Sequence, residues 1–492
     1  MWERWIARRG DLSKDLIESV SMSQAINISL IILFLGFVSW KYARDYHQGL
    51  IATVFLLLLL PDSLQIQVSL SLPSFTIHRL LLVVTAVAWA LNKKVRKDGF
   101  GIPFFTIQII IAAAYLVSTA LSHDFLVSAK RYLYFISESF LFFWIVQTSI
   151  TNRAIADRIF RAAAFSLLVV AAISYVERYG GIHVRQILPV TRVGYDFEPI
   201  FYSSSGKWEE TSTYNHRILF GVACAVCVPC FLITMSSARR RKNRYHWLAC
   251  LISAGALYFS KSRGPWVSFA GGLALLTMLF PKRFIKTATF LFAAALLVMI
   301  VRPGVYESLS GMSNATLDKS TIKGSSFRWR LTVFNMARTR IAEADLTHTL
   351  FGFGGGSHIF MEFGRVELST GRSVQMESWD SELSVNLFEQ GVVGFTMILL
   401  LYASFAVRTT LCAKRQRPPD DALVFAIACI AIIFLSKVTV RFFSPQLIYL
   451  EGIGLAISSS YLQHLPSWKL AERTKAWKQK ETSALTLSKA SA

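Results

Sequence analysis

Apolar runs close to the roughly 20 residues that cross a hydrocarbon core recur along the chain, separated by short polar or basic stretches. They cover 24–40, 49–61, 75–91, 102–121, 132–150, 159–177, 216–235, 246–260, 264–280, 284–301, 384–407, 421–438 and 443–463. The second and eighth are short, so the pattern predicts 12–13 transmembrane helices in an all-α polytopic membrane protein. The two-residue alternation of a membrane barrel is absent. One long polar segment breaks the series, and the chain divides into a polar N-terminal segment 1–23, a transmembrane bundle 24–301, a long loop 302–383, C-terminal transmembrane helices 384–463 and a basic tail 464–492. A connection as long as 302–383 is expected to be functional or disordered, and here it is read as the working part of an enzyme.

Composition agrees with this pattern. Of the 492 residues, 53% are hydrophobic and the mean hydropathy is +0.44, which leaves no large water-soluble domain. The formal net charge of +22 does not point to nucleic acid, because the basic residues cluster in short connections between apolar runs. Lys93-Lys94 with Arg96 and Lys97, Arg153 with Arg158 and Arg161, Arg239 to Lys242, Lys282-Arg283, and Lys414-Arg415 recur at every second connection, as expected of cytoplasmic loops. The opposite side then receives 178–215, the turn at Lys261 to Gly264, the long loop, and Lys437 to Ser444. Thirteen spans with a cytoplasmic C-terminus would leave the N-terminus outside, whereas Arg4, Arg8, Arg9 and Lys14 favour inside, so one early span is expected to be miscounted. The six cysteines all lie in or beside apolar runs and form no disulfide framework; the Cys224, Cys227 and Cys230 spacing reads as a packed helix interrupted by Pro229.

Charges on the non-cytoplasmic side, which topology does not explain, are the candidate chemistry. Arg217 opens a span and Arg263 sits in the turn Lys261-Ser-Arg-Gly-Pro265. A guanidinium fork suits bidentate phosphate binding, and its alternative there is to snorkel to headgroups. Within the loop, the stretch Ser325 to Ala337 has helical character, with Phe327, Leu331 and Phe334 spaced to share a face and Arg328 and Arg330 pointing different ways. The run Gly352-Phe-Gly354-Gly-Gly356-Ser-His358 allows an anion nest or a flexible turn, and His358 is a weak base or ligand candidate. Asp380, with Glu377 one helical turn before it and Glu382 nearby, is the candidate base; its plainer role is an N-cap for the next span. Glu389 lies inside an apolar run, where a carboxylate is expected to face protein and to pair with an arginine, and Gly391 and Gly394 beside it permit a bend or a close approach.

Ser262-Arg263-Gly264, Arg330 followed by Leu350-Phe-Gly-Phe-Gly354, and Glu389-x-Gly391-x-x-Gly394 occur in that order around one long loop. In this the chain resembles the O-antigen ligase and Wzy-type polysaccharide polymerase superfamily over roughly residues 210–400. The resemblance implies a glycosyltransferase C-like fold with one long periplasmic loop in the bacterial inner membrane. It further implies metal- and cofactor-independent transfer of glycan from an undecaprenyl-diphosphate carrier to a glycan or lipid acceptor. Membrane lipids and other polysaccharide export proteins are the implied surroundings. On this reading Arg217, Arg263 and Arg330 bind the diphosphate, Arg328 and His358 contribute to substrate binding, and Asp380 with Glu377 aligns or deprotonates the acceptor hydroxyl for an inverting displacement. In the ligases a histidine near the end of the loop is the proposed base; counting back from Glu389, its place holds Asp380, which favours a polymerase over a ligase. A flippase for lipid-linked glycan would predict repeated halves and midplane charges, and neither is present in the sequence. A purely structural export component would tolerate alanine at every arginine.

Overall fold

The computed structural model describes residues 14–66, 75–96, 103–184, 210–236, 245–301, 322–360, 365–367, 373–375, 379, 381–416, 418–442 and 444–490. The described part of each of the thirteen apolar runs is mostly helical. The first half of the bundle comprises α1 (Lys14–Arg44), α2 (Tyr46–Leu59), α3 (Ile77–Leu91), α4 (Phe105–Ala120), α5 (Phe125–Tyr134), α6 (Phe142–Ser149) and α7 (Arg153–Gly180). Then come α8 (Arg217–Ser236), α9 (Tyr245–Phe259), α10 (Arg263–Leu279) and α11 (Pro281–Val301). The long connection carries α12 (Ile322–Glu343), α13 (Leu346–Phe351), α14 (Ser357–Phe360) and a hairpin of β3 (Arg365–Glu367) and β4 (Ser373–Gln375). A smaller ladder pairs β1 (Gln65–Ile66) with β2 (Phe75–Thr76). The chain closes with α15 (Glu382–Lys414), α16 (Asp421–Thr439) and α17 (Pro445–Ala490). Five of the described helices, α1, α7, α8, α15 and α16, are long and apolar enough to cross a membrane, and α2, α3, α4 and α9 are shorter apolar helices. The protein is thus an all-α integral membrane protein.

Asp45 separates α1 from α2 by accepting from the His47 and Gln48 amides at 2.7 and 3.3 Å, satisfying donors that a helix start leaves open. A π-helical stretch, Phe135–Leu141, joins α5 to α6 and carries the buried Glu138, which receives Arg79 Nε at 2.7 Å. Helix α8 is apolar on every side and is buried almost throughout, as a sequence without a polar face requires. It packs on α9, α10, α16 and α7. Its cysteines are buried with the rest, and Cys227 Sγ meets Ser253 Oγ of α9 at 3.1 Å.

Connections between helices meet at one end of this bundle. Gln446 Nε2 donates to the Leu60 and Thr213 carbonyls at 3.0 and 3.1 Å, joining three connections far apart in sequence. Glu177 accepts from the Thr211 and Ser212 amides at 3.1 and 2.7 Å and so fixes the approach to α8. The long connection adds a second small core in which Val333, Ala337 and Ile341 of α12 meet Trp379, Val385, Leu387 and Phe388. Helix α12 confirms the helical character expected there, but the face it buries differs from the apolar spacing singled out in the sequence. Leu331 and Phe334 are exposed, and the stripe one position away, Val333-Ala337-Ile341, makes the contact. That stripe is narrower and meets the start of α15, and small Ala337 allows the close approach.

Candidate functional site

The site is built where the glycine-rich stretch of the long connection crosses α15. Helix α15 breaks at Gly391, with φ 63° and ψ −168°. Gly352, which ends α13, has φ 79° and ψ −171°. Both lie in a region of backbone space that is essentially restricted to glycine. They face each other: a Cβ on Gly391 would stand 2.5 Å from the Gly352 nitrogen, and one on Gly352 would stand 2.5 Å from the Glu389 carbonyl carbon. At the break, the Phe388 and Glu389 carbonyls accept instead from the Phe353 and Gly354 amides, each at 3.1 Å, and Ser118 Oγ of α4 also donates to the Glu389 carbonyl. A kinked helix must find such replacement partners for its backbone groups. The bend allowed by Gly391 and the close approach are therefore one device.

The crossing delivers three donors to one oxygen. Glu389 Oε1 receives Arg131 Nη1 of α5 at 3.2 Å, the Gly356 amide at 2.7 Å and His358 Nδ1 at 2.5 Å. The arginine partner expected for Glu389 is therefore present, joined by a histidine and an amide. The amides of Gly354 to Gly356 are all used inside the protein, since the Gly355 amide donates to Ser128 Oγ at 2.8 Å. Of the three, the Gly356 amide is the one that meets an anion, the Glu389 carboxylate. Gly354, Gly355 and Gly356 also let the backbone press on Ser122, Tyr115 and Val127, where a Cβ would come within 2.3, 2.6 and 3.0 Å.

His358 is 3% exposed and its ring meets Trp379 edge-on at 5.8 Å. A carboxylate can only accept, so Nδ1 carries the hydrogen and, in the neutral ring, Nε2 keeps a lone pair. Burial lowers the histidine's affinity for a proton below its ordinary value, and the Glu389 charge opposes that without overcoming it. Nε2 is itself buried and has no hydrogen-bond partner among the described residues.

The arginines converge from the other direction. Arg217 opens α8, and one turn on, Gly221 allows the turn before α10 to close in, since a Cβ there would lie 2.8 Å from both Ser260 Oγ and Pro265 Cγ. Lys261 takes φ 46° in that turn, and Arg263 opens α10. Gly264 meets Thr439 at the end of α16, where a Cβ would be 2.9 Å from Oγ1. The residues after Thr439 pair with the start of α15, the Glu382 amide donating to the Val440 carbonyl at 3.3 Å and the Phe442 amide to Glu382 Oε2 at 3.1 Å. Between them Arg441 feels the charges of Glu389, Glu382 and Arg131. Burial, and then the like charge of Arg330, lowers the proton affinity of Arg263, which puts the arginine of α12 within electrostatic reach of the α10 turn.

The structure thus brings Arg263 and Arg330 together and sets Arg217 on the adjoining helix start. His358 stands with Glu389 and Arg131, and Arg441 is electrostatically linked to both His358 and Glu389. Asp380 and Glu377 lie outside the described residues, as does the side chain of Arg328. Helix α15 takes its N-cap from Ser381, which accepts from the Ser384 amide at 3.4 Å. Sequence reasoning missed Arg131 and Arg441. Each sits on, or just inside, a connection that the charge pattern assigns to the non-cytoplasmic side, the same signal that singled out Arg217 and Arg263.

Comparison with known proteins adds one result. Residues 248–399 match the family model for O-antigen ligase. Over these residues the chain is similar to the O-antigen ligase family. The matched span runs from α9 to the first half of α15 and includes Arg263, Arg330, His358 and Glu389. For an O-antigen ligase-like membrane protein, the supported activity is glycan processing of the ligase or polymerase type on a lipid-linked glycan and an acceptor. No curated protein matches the chain.

Proposed function

We propose that the protein is an inverting, metal-independent glycosyltransferase of the bacterial inner membrane. It polymerises polysaccharide repeat units on the periplasmic side from undecaprenyl-diphosphate-linked donors. The observation that carries this reading is the approach of Arg263 and Arg330, two cations from distant segments held close enough to repel each other. Two guanidinium groups within electrostatic reach of each other offer bidentate donors to a diphosphate. Arg217 opens the helix whose Gly221 packs on the turn before α10, and Arg441 lies within electrostatic reach of Glu389 and Glu382. Aimed at the leaving group, these donors stabilise the charge that develops as the anomeric C–O bond breaks. The acceptor hydroxyl attacks from the opposite face in a single in-line displacement, which inverts the anomeric centre.

A ligase acting on lipid A-core or another acceptor is the second reading, favoured by the description of the matched family as O-antigen ligase. Asp380 at the place of the ligases' histidine favours the polymerase. Incubating the purified protein with undecaprenyl-diphosphate oligosaccharide, with and without lipid A-core, separates the two. Longer carrier-linked chains mark a polymerase, lipid A-linked glycan marks a ligase, and unchanged donor in both tubes removes the transfer reading. Arg263→Ala and Arg330→Ala are each expected to cut turnover about 100-fold, the scale for losing one preorganised donor. Full turnover by either variant would show that its guanidinium does not hold the leaving group.

A further inference from the structure

We propose that His358, held by Glu389, is the proton acceptor for the incoming hydroxyl. This rests on the glycan-transfer reading but assigns the base to a residue other than Asp380. Three features support it. Nδ1 rests on Glu389 Oε1 at 2.5 Å, with Arg131 and the Gly356 amide on the same oxygen, so three donors favour the ionised carboxylate and the carboxylate orients the ring. Trp379 against the ring and the glycine crossing behind it lock its position. Nε2, left with its lone pair, is a buried polar atom without a partner among the described residues. Leaving such an atom unsatisfied costs about 1–3 kcal/mol, whereas a substrate hydroxyl donating to it recovers that cost. A carboxylate-oriented imidazole with a free second nitrogen is the arrangement by which proteins make a general base near neutral pH.

In this step the acceptor O–H bond breaks and its proton goes to Nε2, while the oxygen's electron pair forms the new bond to the anomeric carbon. The bond from that carbon to the carrier diphosphate breaks, and its electron pair leaves with the diphosphate held by the arginines. The imidazolium that forms is stabilised by the Glu389 carboxylate and later returns its proton to solvent or to the released diphosphate. Charged and titratable groups around this pair are Arg131 from α5, Tyr115 from α4, Glu382 from the start of α15 and Arg441 from the connection after α16. Because burial lowers the proton affinity of His358, the base form is present at neutral pH and is lost on acidification below the ordinary histidine range.

The test is His358→Asn, whose amide nitrogen can occupy the place of Nδ1 and keep the bond to Glu389 while removing Nε2. Expected are donor binding and thermal stability near wild type, turnover slowed by about 100- to 10,000-fold, the range of general-base contributions, and loss of the acid limb of the pH profile. Asp380→Asn, assayed in parallel, is expected to retain that limb. Near wild-type turnover in His358→Asn, or an acid limb that vanishes only in Asp380→Asn, overturns the assignment. His358→Asn that fails to fold is replaced by His358→Gln, which keeps an amide nitrogen near the place of Nε2 but cannot accept a proton; full activity there also overturns it. Absence of transfer by the wild-type protein overturns the glycan-transfer reading, and the role of His358 with it.

Discussion

Glu389→Ala is expected to abolish transfer and to destabilise the purified protein by about 3–5 kcal/mol, the cost of removing one partner of a buried, hydrogen-bonded charge pair. The effect is large because one oxygen serves three donors. Without it the Arg131 guanidinium, the His358 ring and the Gly356 amide lose their acceptor together in a place that is nearly closed to water, Glu389 being 4% exposed. Glu389→Gln keeps an acceptor oxygen at much the same place and is expected to retain more of the fold. It loses the charge that stabilises imidazolium, so its turnover falls well beyond its change in stability. Thermal unfolding in detergent, read beside turnover, separates the two variants. A Glu389→Ala protein that unfolds within a degree or two of wild type would mean that the three donors find other acceptors, and the network would lose its structural meaning.

The apolar runs made the bundle legible, because a segment of that length and hydropathy has few options other than helix. Its candidate site was only half legible. Arg217, Arg263 and Arg330 stood out as cations on the side where topology supplies no reason for them, and the structure places them at adjoining helix starts or in contact through charge. Glu389 stood out for the converse reason, as a carboxylate inside an apolar run. What could not be read was which residues meet it. Arg131 lies 258 positions away on a helix whose register against α15 is set by packing, and nothing local to either residue encodes that distance. His358 carried no periodic or compositional signal that would rank it above an ordinary loop histidine. Its role depends on the glycines before it, whose positive φ values turn the chain so that a loop residue enters the core. The face of α12 was misjudged for a related reason: Leu331 and Phe334 are the larger side chains, but Val333, Ala337 and Ile341 fit the surface that α15 offers.

The glycine crossing yields the most severe backbone prediction. Gly391→Ala places a Cβ at 2.5 Å from the Gly352 nitrogen and the Leu350 carbonyl oxygen, which are backbone atoms that cannot rotate away. It also forces an L side chain into a conformation with φ 63° and ψ −168°, which costs about 1–3 kcal/mol before any clash is counted. Relief requires α15 to straighten or α13 to withdraw. Either movement breaks the amide bonds from Phe353 and Gly354 to the kink, and with them the placement of His358 on Glu389. The variant is therefore expected to lose transfer completely and to unfold at a much lower temperature, with the 351–358 segment cut early by added protease. Gly36→Ala in α1 is the matched control, since a Cβ there meets nothing within 4 Å and alanine favours helix by about 1 kcal/mol. If Gly391→Ala and Gly36→Ala proved equally stable and equally active, the crossing would not be what holds the loop to the bundle.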